Sequence, residues 1–279
     1  MNKAAFGGVL LAVSLLGCGS ESAPATSPTT APATQPPAAQ PPATQAASAT
    51  TEPSIPSAPS DEICAEVIVV QWQGASGATE AITRTQADAR VRAEELLASI
   101  ESGARDFATV AREDSDARSS GARGGLLGTY SREDWPPQHE AIRDRAFALQ
   151  VDQLSEITEA PYGWVLIHRC TAEFRYTRHI LVRFAGARNA GPEITRSHDE
   201  AQALASQIRE RLVAPGADFL AVAREVSEDT SRERGGDMGW LGRGRLSPAY
   251  EQAAFGMNVG AISEPVETEF GFHLIQRVQ

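Results

Sequence analysis

Few residues in this 279-residue chain could carry chemistry beyond the ubiquitous carboxylates: three cysteines and five histidines. His179 opens a short apolar run to Phe184, and His273 lies between Phe272 and Leu274. A single histidine on an apolar strand is ordinarily a satisfied core residue, so each alone says little. A His/His/Asp metal site built on them with Asp229 would need a further ligand to close its coordination, and no spacing suggests one. His139, His168 and His198 read as surface or structural residues. Ser227 lacks the base, orienter and nucleophile elbow that would activate a serine.

The cysteines speak about location. Lys3 gives a short positive start, Ala4 to Leu16 is apolar, and Leu15-Leu16-Gly17-Cys18 follows. That stretch is too short to span a bilayer as a mature helix and reads as a signal peptide over 1–17. Its ending resembles a bacterial lipobox, which makes Cys18 a lipidation site; an ordinary signal peptide cut elsewhere is the alternative. Two or more acyl chains would hold the protein stably on a membrane. Cys64 and Cys170 then remain as an even pair in an oxidising compartment, where a disulfide is the default and two free thiols the alternative.

Residues 18–60 contain ten prolines among Ala, Thr, Ser and Gln. Such a segment cannot bury enough apolar surface to offset its ordering entropy, so it reads as a disordered tether. As a mixed coil it would reach on the order of 40 Å. The net charge of −11 argues against nucleic acid or an anionic lipid surface as a main partner.

The elements that position the histidines come in two copies. Phe107-Ala108-Thr109-Val110-Ala111-Arg112-Glu113 matches Phe219-Leu220-Ala221-Val222-Ala223-Arg224-Glu225, and Gly124-Gly125 matches Gly235-Gly236. Ala146-Phe147 matches Ala254-Phe255, Ser155-Glu156 matches Ser263-Glu264, and Tyr162-Gly163 matches Phe270-Gly271. The order is kept, so a duplicated unit of about 110 residues follows, long enough to carry its own core. Each copy opens with a strand, Val67 to Trp72 or His179 to Phe184. A helix follows with its apolar face at Ala89, Ala93, Leu96 and Ile100, or at Ala201, Ala205, Ile208 and Leu212. A second helix lies around Val110 or Val222, then a Gly-rich segment. Ser247-Pro248 gives an N-cap and first helical position for a helix through Phe255. Two short strands hinged at Gly163 or Gly271 end each copy. The fold class is α+β: a small four-stranded antiparallel sheet wrapped by about four helices, twice over.

The second copy resembles the parvulin family of peptidyl-prolyl isomerases. The resemblance rests on Arg178-His179-Ile180-Leu181-Val182, Gly216-Ala217-Asp218-Phe219, Ser227-Glu228-Asp229, Gly235-Gly236-Asp237-Met238-Gly239-Trp240, Ala253-Ala254-Phe255, and the run from Ile262 to His273. It covers nearly all of residues 174–279. The resemblance implies an active site with His179 and His273 on adjacent strands, Asp229 at a position that is Cys or Asp in the family, and Thr268 bonded within the histidine network. It implies an apolar proline pocket of Leu246, Tyr250 and Phe255, with Phe270 nearby. Leu246 and Tyr250 stand where Met and Phe are usual. No cofactor and no metal are implied, and the partners are unfolded or proline-containing polypeptides.

The first copy matches in framework only. Val67 replaces His179, Ala117 replaces Asp229, Ala160 replaces Thr268 and Val165 replaces His273. The expected domains are therefore a degenerate, non-catalytic one over 61–171 and a catalytic one over 172–279. Trp135-Pro136-Pro137 in the first is expected as an exposed contact or an ordinary loop. If the first copy follows the family, its first and last strands are neighbours, and Cys64 and Cys170 flank them closely enough to bridge. Arg183 and Arg188 lie in the loop where phosphate-directed parvulins carry a basic cluster, but a sparse pair more often forms a solvated edge. Two readings stand: an isomerase of the cell envelope, lipid-anchored and facing the periplasm or outer side with the outer membrane favoured, or a chaperone that holds peptides without catalysis.

Overall fold

The computed structural model describes residues 54–279. The expected signal peptide, Cys18 and most of the expected tether lie outside the described residues. Residues 54–60, expected as the end of a tether, form neither helix nor strand, yet the Pro56 carbonyl accepts a hydrogen bond from Trp240 Nε1 at 2.8 Å. Among the described residues no helix is long and apolar enough to cross a membrane.

Two four-stranded antiparallel sheets follow one another. In the first copy the order is β1 (Ile63–Val70), α1 (Gln86–Glu101), α2 (Phe107–Asp114), α3 (Arg118–Gly121), β2 (Leu126–Tyr130), α4 (Glu140–Ala148), β3 (Thr158–Ala160) and β4 (Gly163–His168). The second copy runs β5 (Phe174–Val182), α5 (His198–Val213), α6 (Phe219–Val226), a 3₁₀ turn (Thr230–Arg234), β6 (Asp237–Gly242), α7 (Pro248–Gly256), β7 (Val266–Thr268) and β8 (Gly271–Arg277). The sheets are ordered β2-β1-β4-β3 and β6-β5-β8-β7, so the first and last long strands of each copy are central neighbours.

Local chemistry explains the shared framework. Thr85 and Asp88 form a capping box at α1, as Ser197 and Glu200 do at α5. The α5 face Ala201, Ala205, Ile208 and Leu212 is buried against β5 and β8. The α1 face buries Ala89, Ala93 and Leu96, while Ile100 is only half-buried. Both opening strands begin earlier than their apolar runs suggest, at Ile63 and Phe174, because the upstream residues pair with β2 and β6. Cys64 and Cys170 form a disulfide with Cα atoms 5.0 Å apart, tying β1 to the segment that leads into β5.

Candidate active site

Strand register brings the histidines together. On β5 and β8, His179 faces Ile275 and Leu181 faces His273, so the two imidazoles sit diagonally on one face of the sheet. Their Nδ1 atoms are 3.2 Å apart and both rings are buried. Gly236 lets the strand sit there: its φ is +79°, and a Cβ would fall 2.1 Å from the His179 carbonyl oxygen.

Thr268, at the end of β7, places Oγ1 2.8 Å from His273 Nε2. Asp229 caps the 3₁₀ turn after α6, where its Oδ1 accepts from Ser231 N–H at 2.8 Å and lies 3.0 Å from His179 Nε2. The latter contact is short but poorly aligned as a hydrogen bond. Ser227 Oγ accepts from Leu181 N–H at 3.2 Å, which pins the end of α6 to β5 and leaves the hydroxyl a structural tie.

The electrostatics assign direction to the chain. His179 holds the Asp229 carboxyl well below the usual carboxylate range, against the opposing effect of burial. Burial, reinforced by His179, pushes His273 down to about 3, so its ring is neutral near pH 7. With Asp229 ionised, His179 presents Nε2–H to it. In the neutral His179 ring, Nδ1 then accepts from His273 Nδ1–H, and Thr268 O–H donates to His273 Nε2. A second proton on His179 would leave Nε2–H facing Asp229, reverse the two bonds beyond it and turn the Thr268 hydroxyl toward the Gly271 carbonyl, 3.4 Å away.

Above this chain lies a cleft of about 290 Å³. Leu181, Met238, Leu246, Tyr250 and Phe270 supply its apolar wall, and Arg183, Asn189, Thr230 and Ser247 its rim. Tyr250 packs edge-on to both imidazoles, and burial raises its phenol so that it stays neutral. Ser247 begins α7 without a side-chain capping bond and faces the cleft instead.

Phe255 is not on this wall. It packs with Tyr250, Ala254 and Ile275, beneath the Arg243 and Arg175 guanidinium groups at 4.1 and 4.9 Å from its ring centroid. Its position on α7, five residues after Tyr250, turns it away from the opening. Met238, absent from the expected pocket, takes a place on the wall; its only sequence signal is alternation along β6. Arg183 does not form an anion cradle with Arg188, because it donates to the carbonyls of Glu228 and Arg188. Arg188 lies over Phe270 and beside Glu269. Among the described residues no group of three or more His, Cys, Asp or Glu could hold a metal ion.

The matching face of the first sheet is filled. Val67, Val165, Ala160 and Ala117 leave space that Trp135 occupies, 4% exposed, with Tyr130 and Phe147 edge-on to it. The expectation of an exposed Trp135 is therefore corrected. The loop from β2 to α4 is longer than its counterpart from β6 to α7, and it folds the indole onto the small side chains where burial is favourable. A separate cleft of about 710 Å³ opens at the rim of this domain, beside Pro137, His139, Pro161 and Tyr162.

Comparison with known proteins agrees with the duplication. Over 71% of its length the chain is 37% identical to a protein named Chaperone SurA from Ralstonia nicotianae, covering 40% of that protein. It is 36% identical to Chaperone SurA from Methylobacillus flagellatus over 67% of the chain and 42% of that relative. The chain thus spans about two fifths of the length of these curated relatives. Among solved structures, peptidylprolyl isomerase (PrsA) from Bacillus anthracis matches at 30% identity and a TM-score of 0.30, covering 37% of this chain and 40% of that one. The model of the rotamase family, described as the PPIC-type PPIASE domain, matches residues 72–170 and again 179–279. The chain belongs to the PpiC-type, parvulin-like family of peptidyl-prolyl isomerase domains and carries that domain twice.

Proposed function

We propose that this protein is a peptidyl-prolyl cis–trans isomerase of the cell envelope, with its chemistry confined to the second domain. The observation that carries the reading is the oriented chain from Thr268 through His273 and His179 to Asp229, lying directly beneath an apolar cleft. Rotation about an X–Pro bond faces a barrier of ~18–20 kcal/mol set by amide resonance. No bond is broken, so the site needs only to grip the ring, exclude water and favour the twisted amide. Met238, Leu246, Tyr250 and Phe270 would grip and dry the proline ring. An amide moved from water into such a cup loses solvation of its planar, more dipolar form, which lowers the cost of twisting. His273, kept neutral by burial, and the His179 ring bonded to it would offer preorganised dipoles to the rotating carbonyl without drawing in water.

In this reading Val67, Ala117, Ala160 and Val165 leave the first domain without chemistry. Its clients are unfolded or exported polypeptides, and Cys18 anchors the chain by lipid, on the outer membrane by preference. The anchor rests on the Leu-Leu-Gly-Cys sequence alone. A protease-coupled proline-peptide assay tests the catalytic reading on the wild type, His273→Ala and Asp229→Ala. Loss in both variants is expected, and equal rates in all three would end it. A second reading, a chaperone that holds peptides without needing catalysis, is favoured by the rim cleft of the first domain and by the chain's relatives being named chaperones. It predicts that the two variants still suppress aggregation of an unfolded protein.

A further inference from the structure

The loop that shapes the proline pocket is also the place where the two domains meet. Gly242 to Arg245 leads from β6 directly into Leu246 and Ser247, which line the cleft. The Thr129 N–H on β2 donates to the Arg243 carbonyl at 2.9 Å, so the edge strands of the two sheets are joined by a main-chain bond. Gly244, at φ +87°, lies so close that a Cβ would fall 2.4 Å from Gly128 Cα, and one on Gly242 would fall 2.5 Å from Thr129 Cβ. At Gly244 and Gly128 backbone therefore meets backbone with no side chain between.

Arg245 then reaches across the seam. Its guanidinium carbon lies 5.4 Å from the Tyr130 ring centroid, with Nη1 3.9 Å from Glu62 Oε2 and Nη2 3.6 Å from Asp134 Oδ2. Asp134 immediately precedes Trp135, so the loop that closes the first domain's own sheet face also presents a carboxylate to the second domain. On the far side of Leu246, its N–H donates to the buried Glu251 at 2.9 Å. The residue is held from both directions, by α7 and by the first domain.

We infer that Glu62, Tyr130 and Asp134 of the first domain hold Arg245 and thereby set the position of Leu246, making Arg245 a positioning residue for the proline pocket. This rests on the isomerase reading above. A domain without chemistry would then tune how tightly the neighbouring site grips its substrate. Leu246 belongs to the apolar wall while the hydrogen-bonded chain at His179 and His273 lies beneath the cleft, so the effect falls on binding more than on turnover.

The test compares the full chain with Arg245→Ala, Arg245→Lys and the paired change Glu62→Gln with Asp134→Asn, each confirmed as folded by thermal unfolding. For a proline tetrapeptide, KM is expected to rise on the order of three- to tenfold in Arg245→Ala and in the paired variant, with kcat within about twofold. Arg245→Lys should recover part of the loss, and combining Arg245→Ala with the paired change should add little. A wild-type KM in the paired variant, or fully additive effects, would overturn the inference. The Leu246 methyl resonances of the peptide-free protein supply a readout independent of catalysis. They should shift in the paired variant, and their constancy would also overturn it. A wild type without isomerase activity would instead count against the isomerase reading.

Discussion

His273 Nδ1 lies 3.2 Å from His179 Nδ1, and two nitrogens this close can share only one proton. Which of them carries it is decided at the ends of the chain, by the ionised Asp229 and the Thr268 hydroxyl. The two termini of the network are therefore where substitutions should speak most clearly.

Thr268→Val keeps shape but removes the donor to His273 Nε2. That nitrogen is buried, so the ring is freed to take the other tautomer or left unsatisfied, at about 1–3 kcal/mol. The expected outcome is a fall in kcat/KM of roughly tenfold or more, with Thr268→Ser close to wild type. Nitrogen-15 spectra of the histidine rings would display the tautomer change directly.

Acid should destabilise the second domain in two stages. His273 stays neutral down to about 3 in the folded protein but titrates near 6.5 when unfolded. Between those values the unfolded state binds the extra proton, so stability is full above about pH 6.5 and falls as pH drops, by up to about 1.4 kcal/mol per unit. Asp229, whose carboxyl is depressed, contributes stability above about pH 3.9 that disappears at lower pH. Urea unfolding across pH 4 to 7 should show a slope that His273→Gln flattens. An unchanged slope in that variant would refute the assignment.

Trp135→Ala empties the filled sheet face of the first domain. Removing a fully packed indole costs about 3–5 kcal/mol, so the first domain should unfold at lower denaturant, measured by circular dichroism. Isomerase activity should not arise in the opened site, because Val67 and Val165 still replace both imidazoles.

Reduction of the Cys64–Cys170 bond is expected to cost on the order of 2–4 kcal/mol of first-domain stability. In a Cys18→Ser chain, a thiol count of zero in the unreduced, unfolded protein, rising to two on reduction, checks the pairing. Two thiols before reduction would contradict it.

Much of this site is legible in the linear sequence because its parts sit on regular elements. His179 and His273 are 94 positions apart, yet the resemblance to the parvulin family puts them on neighbouring strands, as the sheet order does. The apolar faces of α1 and α5 are periodic and therefore readable. Other features depend on tertiary distance alone. Phe255 shares a helix with Tyr250, but only the packed structure reveals that it faces away from the opening. Trp135 looked like a surface residue because nothing local says that a longer loop folds it inward. The seam at Gly128 and Gly244 has no sequence signature, since a close backbone approach between two sheets leaves no periodic trace.

The disulfide also decides how the molecule carries load. Cys64 stands near the start of β1 and Cys170 just ahead of β5, at a sequence separation of 106. Tension applied between the chain preceding β1 and the second domain passes from sulfur to sulfur and skips nearly the whole first domain. While the bond is intact, that domain is mechanically shielded and only a few residues of slack lie in the force path. Once reduced, it would become extensible chain, paying out up to about 3.3–3.6 Å per residue.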